Sequence, residues 1–344
     1  MKKSLPAHLP FAVSIVLCFL SSVLFAEENA VHKVVTDISP WLVRIDTIGG
    51  LEKVGREFAN EGTSTGLLLD RSGFVITSAF NFLHDPASIL LRFADGSKKV
   101  ARKVATDHNR MLTLLKVENL DPAFLPESYA VALKDSIRVG DACVAVGVAL
   151  SDEEPNVASG IISGKNRIWR KAIQTDAAVG PNNYGGPLID FEGRVLAILV
   201  PLSMTSTSLT AGAETYDGGV GLAIPMEDVQ RVLPKLKEEK DLFPGTIGIG
   251  FKENRIFIGE ALLDIVAPNF PAAQAGLQPG DKIIAVDGKA IASALEFMML
   301  FRSCDADEEI RLTFRRNNID KEVTLKTVAM EQNAEQESSA TQGD

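Results

Sequence analysis

Hydrolysis by a side-chain nucleophile needs three parts. There must be an oxygen or sulfur that attacks, a base that takes its proton, and a carboxylate that holds the base in place. Bases are scarce in this sequence: beyond the first 26 residues the histidines are His32, His84 and His108. Thiols are scarce too, with only Cys143 and Cys304 beyond Cys18. These two fall in different predicted domains, which argues against a disulfide framework and for two single buried or half-buried thiols. No His or Cys spacing suits a metal ion, so the reading calls for no metal and no cofactor.

The elements that must position any site are mostly strands. From about 41 to 225, short apolar runs alternate with turn signals. Examples are Trp41 to Ile45, Thr65 to Leu69, Gly73 to Thr77, Ala87 to Phe93 and Cys143 to Gly147. Asp70 to Gly73 and Ala94 to Ser97 read as hairpin turns. The pattern predicts an all-β sandwich or barrel. Met226, Val229, Val232, Leu233 and Leu236 then recur at helical spacing, with Pro234 inside the pattern as a kink or early stop. Lys237 to Lys240 reads as a solvated linker. A second unit runs from about Gly245 to Val328. It holds a capping box, Ser293-Ala294-Leu295-Glu296, opening a helix through Arg302. Strands at Ile310 to Phe314 and Glu322 to Leu325 follow, with Arg315 to Asn318 as the turn.

A length of 344 residues suits about two domains, and 46% hydrophobic with 23% charged residues suits a chain with a sizeable core. The net charge is −10. An acidic protein repels phosphate backbones, which disfavours nucleic acid as a partner. Residues 1–26 read as a secretory signal peptide, with Lys2 and Lys3 before an apolar run from Phe11 and a small residue, Ala26, at the cut. The alternative is an uncleaved anchor, but the stretch falls short of the roughly 20 residues that span a bilayer comfortably. After cleavage no stable membrane span remains, and the location is periplasmic or otherwise exported. Residues 331–344 carry four acids and no base and read as a disordered tail.

Three segments together resemble the HtrA (Deg-type) serine proteases. They are Gly73-Phe74-Val75-Ile76-Thr77-Ser78-Ala79-Phe80, Ala105 to Lys116, and Ile173-Gln174-Thr175-Asp176-Ala177-Ala178-Val179-Gly180-Pro181-Asn182-Asn183-Tyr184-Gly185-Gly186-Pro187-Leu188. Phe270 to Lys289 is similar to the core of a PDZ domain. The resemblance implies a mainly β molecule: a trypsin-like double six-stranded antiparallel β-barrel, then a PDZ domain of α+β type. Its bounds are a protease-fold domain at 27–240 and a PDZ domain at 245–330. It also implies that Phe80 stands where the family has its general base, Met111 its orienting Asp, Tyr184 its nucleophilic Ser, and Asn182 the Gly of the oxyanion site. None of Phe, Met or a rigid phenol can perform those steps. The expectation is therefore a catalytically degenerate site, a pseudoprotease, in which Phe80, Met111 and Tyr184 pack as a core. His32, His84 and His108 read as surface histidines rather than a relocated base.

The PDZ resemblance places peptide binding at Thr246, Ile247, Gly248 and Ile249, the loop whose N–H groups capture a terminal carboxylate, beside the helix from Ser293. A PDZ domain used only for internal docking is the alternative. The function that follows is a binding protein for peptides, C-terminal tails or unfolded envelope proteins, acting as a chaperone-like adaptor or regulator in envelope protein quality control. A homo-trimer, or co-assembly with active relatives, is implied by the resemblance. The competing functions are an active serine endopeptidase using a non-standard site, and an envelope scaffold with an unused groove.

Overall fold

In the computed structural model the protein is described over residues 30–330, apart from 50–52, 55–56, 59–61, 83–85, 122, 124, 152–153, 203–218 and 252–258. The expected signal peptide, the acidic tail and His84 lie outside the described residues.

Two closed barrels of six antiparallel strands follow one another. In the first, Leu42–Ile48, Gly62–Leu68, Phe74–Ser78, Leu112–Val117, Lys98–Asp107 and Ser88–Phe93 pair in that order, and the last returns to the first. In the second the order is Asn156–Asn166, Ala172–Thr175, Gly221–Pro225, Val195–Leu199, Pro187–Ile189 and Ala142–Gly147. Inward positions such as Val43, Ile45, Leu67 and Leu91 are fully buried, as a closed barrel requires of alternate residues. The expected turns at Asp70 to Gly73 and Ala94 to Ser97 join paired strands.

Where the barrels meet, backbone replaces side chains. A Cβ on Gly185 would lie 2.1 Å from the Thr65 carbonyl oxygen, one on Gly186 2.1 Å from that of Val146, and one on Gly147 2.2 Å from that of Asn182. Gly185 also has φ +83°, which a side chain disfavours. The glycine pair is thus demanded by packing.

The helix Met226–Lys237 buries Met226, Val229, Val232 and Leu236 and runs through Pro234 to its last residue. Pro234 is exposed there, so the helix continues where the sequence suggested a kink or stop. The linker beyond it is half solvated and half docked. Lys237 to Lys240 are exposed, but Leu242 donates to the Thr106 carbonyl (2.9 Å) and accepts from the His108 N–H (2.8 Å). The chain therefore passes from the second barrel to the PDZ unit beside the end of the first barrel's strand Lys98–Asp107.

The PDZ unit carries a four-stranded sheet, ordered Lys289–Ala290, Lys282–Val286, Glu309–Arg316, Ile319–Lys326, with the two-stranded pairs Gly245–Thr246/Val328–Ala329 and Ile249–Phe251/Leu263–Val266. The hairpin turn is Asn317-Asn318, both at positive φ, so Arg315 and Arg316 belong to the strand and not to the turn as the sequence suggested. Both use that position: Arg315 pairs with Asp320 and Arg316 with Asp281. The helix Ala294–Phe301 is capped as expected. The Ser293 hydroxyl accepts from the Glu296 N–H (3.2 Å), while the Glu296 carboxylate accepts from Ala292 rather than from Ser293.

Candidate functional site

Two places gather the residues singled out from the sequence. The first is the junction of the barrels. Phe80 lies in the single turn Ala79–Phe82 that ends the strand Phe74–Ser78, and Tyr184 follows the turn Pro181–Asn183. Their rings meet edge to face, with centroids 5.6 Å apart. Tyr184 is buried, Phe80 half-buried. Met111 is buried at φ +57°, and its carbonyl accepts from the Ala79 N–H (2.8 Å), next to Phe80 in the chain. Of the three-residue cluster expected from the sequence, the aromatic pair is direct, and Met111 is tied to it through that backbone bond.

The polar groups of the preceding turn are turned inward. The Thr65 hydroxyl donates to the Asn182 carbonyl (3.0 Å) and accepts from the Val148 N–H (2.8 Å), while the Thr65 N–H donates to the Tyr184 carbonyl (3.2 Å). The Asn183 side-chain oxygen accepts from Asn156 (3.1 Å). The Tyr184 N–H donates to the Pro181 carbonyl (3.2 Å). An oxyanion hole needs backbone donors aimed at the developing charge. At Tyr184 that donor is already engaged within its own turn.

Other reactive groups stand apart. His32 is exposed on the helix over 30–38. His108 is only partly exposed. It stacks on Phe243 at 4.6 Å and lies 3.7 Å from the Asp241 carboxylate, which makes it part of the docked linker rather than a free surface side chain. Burial raises the thiols of Cys143 and Cys304 to about 11, so both stay protonated at neutral pH.

The second place is a cavity between the first two barrels and the PDZ unit. Thr246, Ile247 and Ile249 line it, with Phe297, Met298 and Phe301 of the helix Ala294–Phe301. Gly248 forms the turn between them. Its φ is +75°, and a Cβ there would strike the Phe270 side chain at 2.2 Å. Ile247 is fully buried, and the Gly248 N–H donates to the Thr246 hydroxyl (3.2 Å). Among the described residues the strand Ile249–Phe251 pairs only with Leu263–Val266, and none of them pairs with its other edge. The barrel side of the cavity brings Met111, Trp169 and Lys171, which the sequence did not single out for this place.

A buried ion network fixes the two sides. Arg110 donates to Asp107 (2.8 Å) and to both oxygens of Asp305 (2.8 and 3.1 Å), and the Asn109 amide donates to Asp305 (2.7 Å). Burial pushes the Asp107 carboxyl up. Burial acts the same way on Asp305, but the charge and hydrogen bonds of Arg110 outweigh it and hold that carboxyl low. Two carboxylates thus share one guanidinium. Arg110 and Asp305 are 195 residues apart, so no local pattern announces the pairing.

Comparison with known proteins agrees with this build. Residues 64–198 match the trypsin-like peptidase domain and residues 245–327 the PDZ domain. A probable periplasmic serine endoprotease, DegP-like, of Pseudomonas fulva is 30% identical over 251 residues, 69% of this chain and 50% of that protein. Its namesake in Rickettsia prowazekii is 25% identical over 299 residues, 81% of this chain and 55% of that protein. The chain spans about half the length of these curated relatives. Among solved structures, the HtrA-type protease AlgW with tripeptide superposes with a TM-score of 0.65 at 24% identity, covering 86% of this chain and 95% of that one. The serine endoprotease from Yersinia pestis gives 0.64 at 24%, covering 87% and 98%. This chain therefore has the HtrA-type build, a trypsin-like peptidase domain followed by a PDZ domain.

Proposed function

We propose that this protein is a non-catalytic HtrA-type protein, a pseudoprotease, that binds peptides or unfolded chains through its PDZ groove. The observation that carries the reading is the unpaired edge of Ile249–Phe251 beside the helix Ala294–Phe301, with the Thr246–Ile249 loop at its end. A peptide adding as a strand there would place alternate side chains against Phe297 and Phe301. Similar AlgW structures hold a tripeptide and a decapeptide, which supports the same use here. Its role is that of an adaptor or regulator in envelope protein quality control. The leader at 1–26 and the periplasmic names of the relatives support an exported location. A trimer, or co-assembly with an active relative, is part of the proposal, as are domain bounds of 27–240 and 245–330.

Loss of hydrolysis is supported by the chemistry of Phe80, Met111 and Tyr184 and by the engaged N–H of Tyr184. The second reading, an active endopeptidase, draws on the names of the relatives. A fluorophosphonate probe and a fluorogenic peptide assay separate the two. We expect no labelled band and no turnover above a boiled control. Turnover that disappears in Tyr184→Phe would establish the endopeptidase instead.

A further inference from the structure

The cavity beside the PDZ groove holds more charge than an apolar peptide needs. Lys171 lines it from the second barrel, its ammonium donating to the Asn109 side-chain oxygen. Arg302, which follows the helix Ala294–Phe301, lays its guanidinium over the Trp169 ring at 4.9 Å. Among the described residues neither cation forms an ion pair with a carboxylate; Asp107 and Asp305 are bound by Arg110 instead. Both cations line the cavity, Lys171 from the barrel side and Arg302 from the PDZ side. Burial lowers the Lys171 ammonium to about 8, and the charges of Arg110 and Arg302 push the same way against Asp107 and Asp305. Like charges held close in a partly dry cleft are relieved by an anion placed between them.

The segment presenting Trp169 is held in an unusual shape. Ile168, Trp169 and Arg170 have φ of 44°, 58° and 65°. That region is disfavoured for side chains bearing a Cβ, and most of all for a β-branched one. Strain kept at a cavity wall points to a use for that wall.

We propose that the cavity selects peptides by charge: an apolar C-terminal residue rests against Phe297 and Phe301, and a nearby Asp or Glu side chain lies between Lys171 and Arg302. The inference rests on the peptide-binding reading above and adds a requirement to it. It gives the barrel a part in recognition, since Lys171 and Trp169 come from outside the PDZ unit.

Fluorescence anisotropy on the full chain tests this. The probes are labelled decapeptides ending in Ala-Ala-Ala-Leu, with a single Glu placed at each of the three positions before Leu, and the same set with Gln. At least one Glu peptide should bind about tenfold tighter than its Gln partner, roughly 1.4 kcal/mol. The Glu-to-Gln ratio should fall to about one in Lys171→Met and in Arg302→Met, and persist in Lys171→Arg. Equal affinity for every Glu and Gln pair overturns the inference while the peptide reading stands. So does a ratio unmoved by Lys171→Met in a variant that folds by circular dichroism. If amidating the C-terminus abolishes the effect of Lys171→Met, the cations serve the terminal carboxylate and the inference is overturned in that form. No binding by any peptide, with no response to Ile249→Asp, overturns the peptide reading and this inference together.

Discussion

The junction of the barrels and the cavity beside the PDZ unit both have largely apolar walls, but their polar groups are disposed in opposite ways. At the junction the polar groups around Tyr184 are answered from within: Thr65 ties down Asn182 and Val148, and the Tyr184 N–H closes on Pro181. At the cavity, Lys171 is held only by the Asn109 side-chain oxygen, and among the described residues neither Lys171 nor Arg302 has a carboxylate partner and the second edge of Ile249–Phe251 has no strand. Polar groups satisfied in place rigidify a core. Donors left open in a concave site suit a ligand. Under the proposed function, the difference separates a place used for packing from a place used for binding.

The largest expected effect breaks the frame between the two. Arg110→Met leaves Asp107 and Asp305 buried without their cation, and should cost about 3–5 kcal/mol, read by chemical denaturation. In the calorimeter the PDZ unit should then melt apart from the barrels. Asp305→Asn removes a charge instead of stranding one and should cost less.

A smaller effect sharpens the electrostatic contrast. The folded-state value of Lys171, about 8, lies below the unfolded value near 10.5. Between these the unfolded chain binds more protons, so stability rises with pH across that window and is lower below it. The rise attributable to Lys171 is at most about 3 kcal/mol and should vanish in Lys171→Met. Equal pH profiles for the two proteins would show that this ammonium is better solvated than its place suggests.

The smallest effect concerns the aromatic pair. A double-mutant cycle on Phe80→Ala and Tyr184→Ala should give a coupling of about 1 kcal/mol, the size of an edge-to-face contact. A coupling near zero would mean that the two rings fill the junction independently.

The fold was legible because its signals are local. Strand alternation, the Asp70 to Gly73 turn and the Ser293 cap each depend on residues a few positions apart. The groove loop was legible for the same reason, since Thr246 to Ile249 is one short string. The charged half of the cavity was not. Arg110, Lys171 and the neighbours Arg302 and Asp305 come from three separated segments and join only when the PDZ unit docks. Nor does Ile168-Trp169-Arg170 carry any residue that favours positive φ, so the turn exists against its local preference and is held by its surroundings. His108 was read as a surface residue because nothing nearby announces that Phe243 returns to stack on it.

The tight meeting of Gly147, Gly185 and Gly186 with opposing carbonyls carries a lesson for sequence searching. Those glycines let two backbones pass at a distance that any methyl group would forbid. A pattern built around Gly185-Gly186-Pro187-Leu188 therefore measures how closely the backbone packs at this turn, against the first barrel at Gly185 and within the second at Gly186. It would register as strongly in a chain that cleaves nothing as in one that cleaves, because the scored letters belong to the hinge of the jaws and not to the teeth.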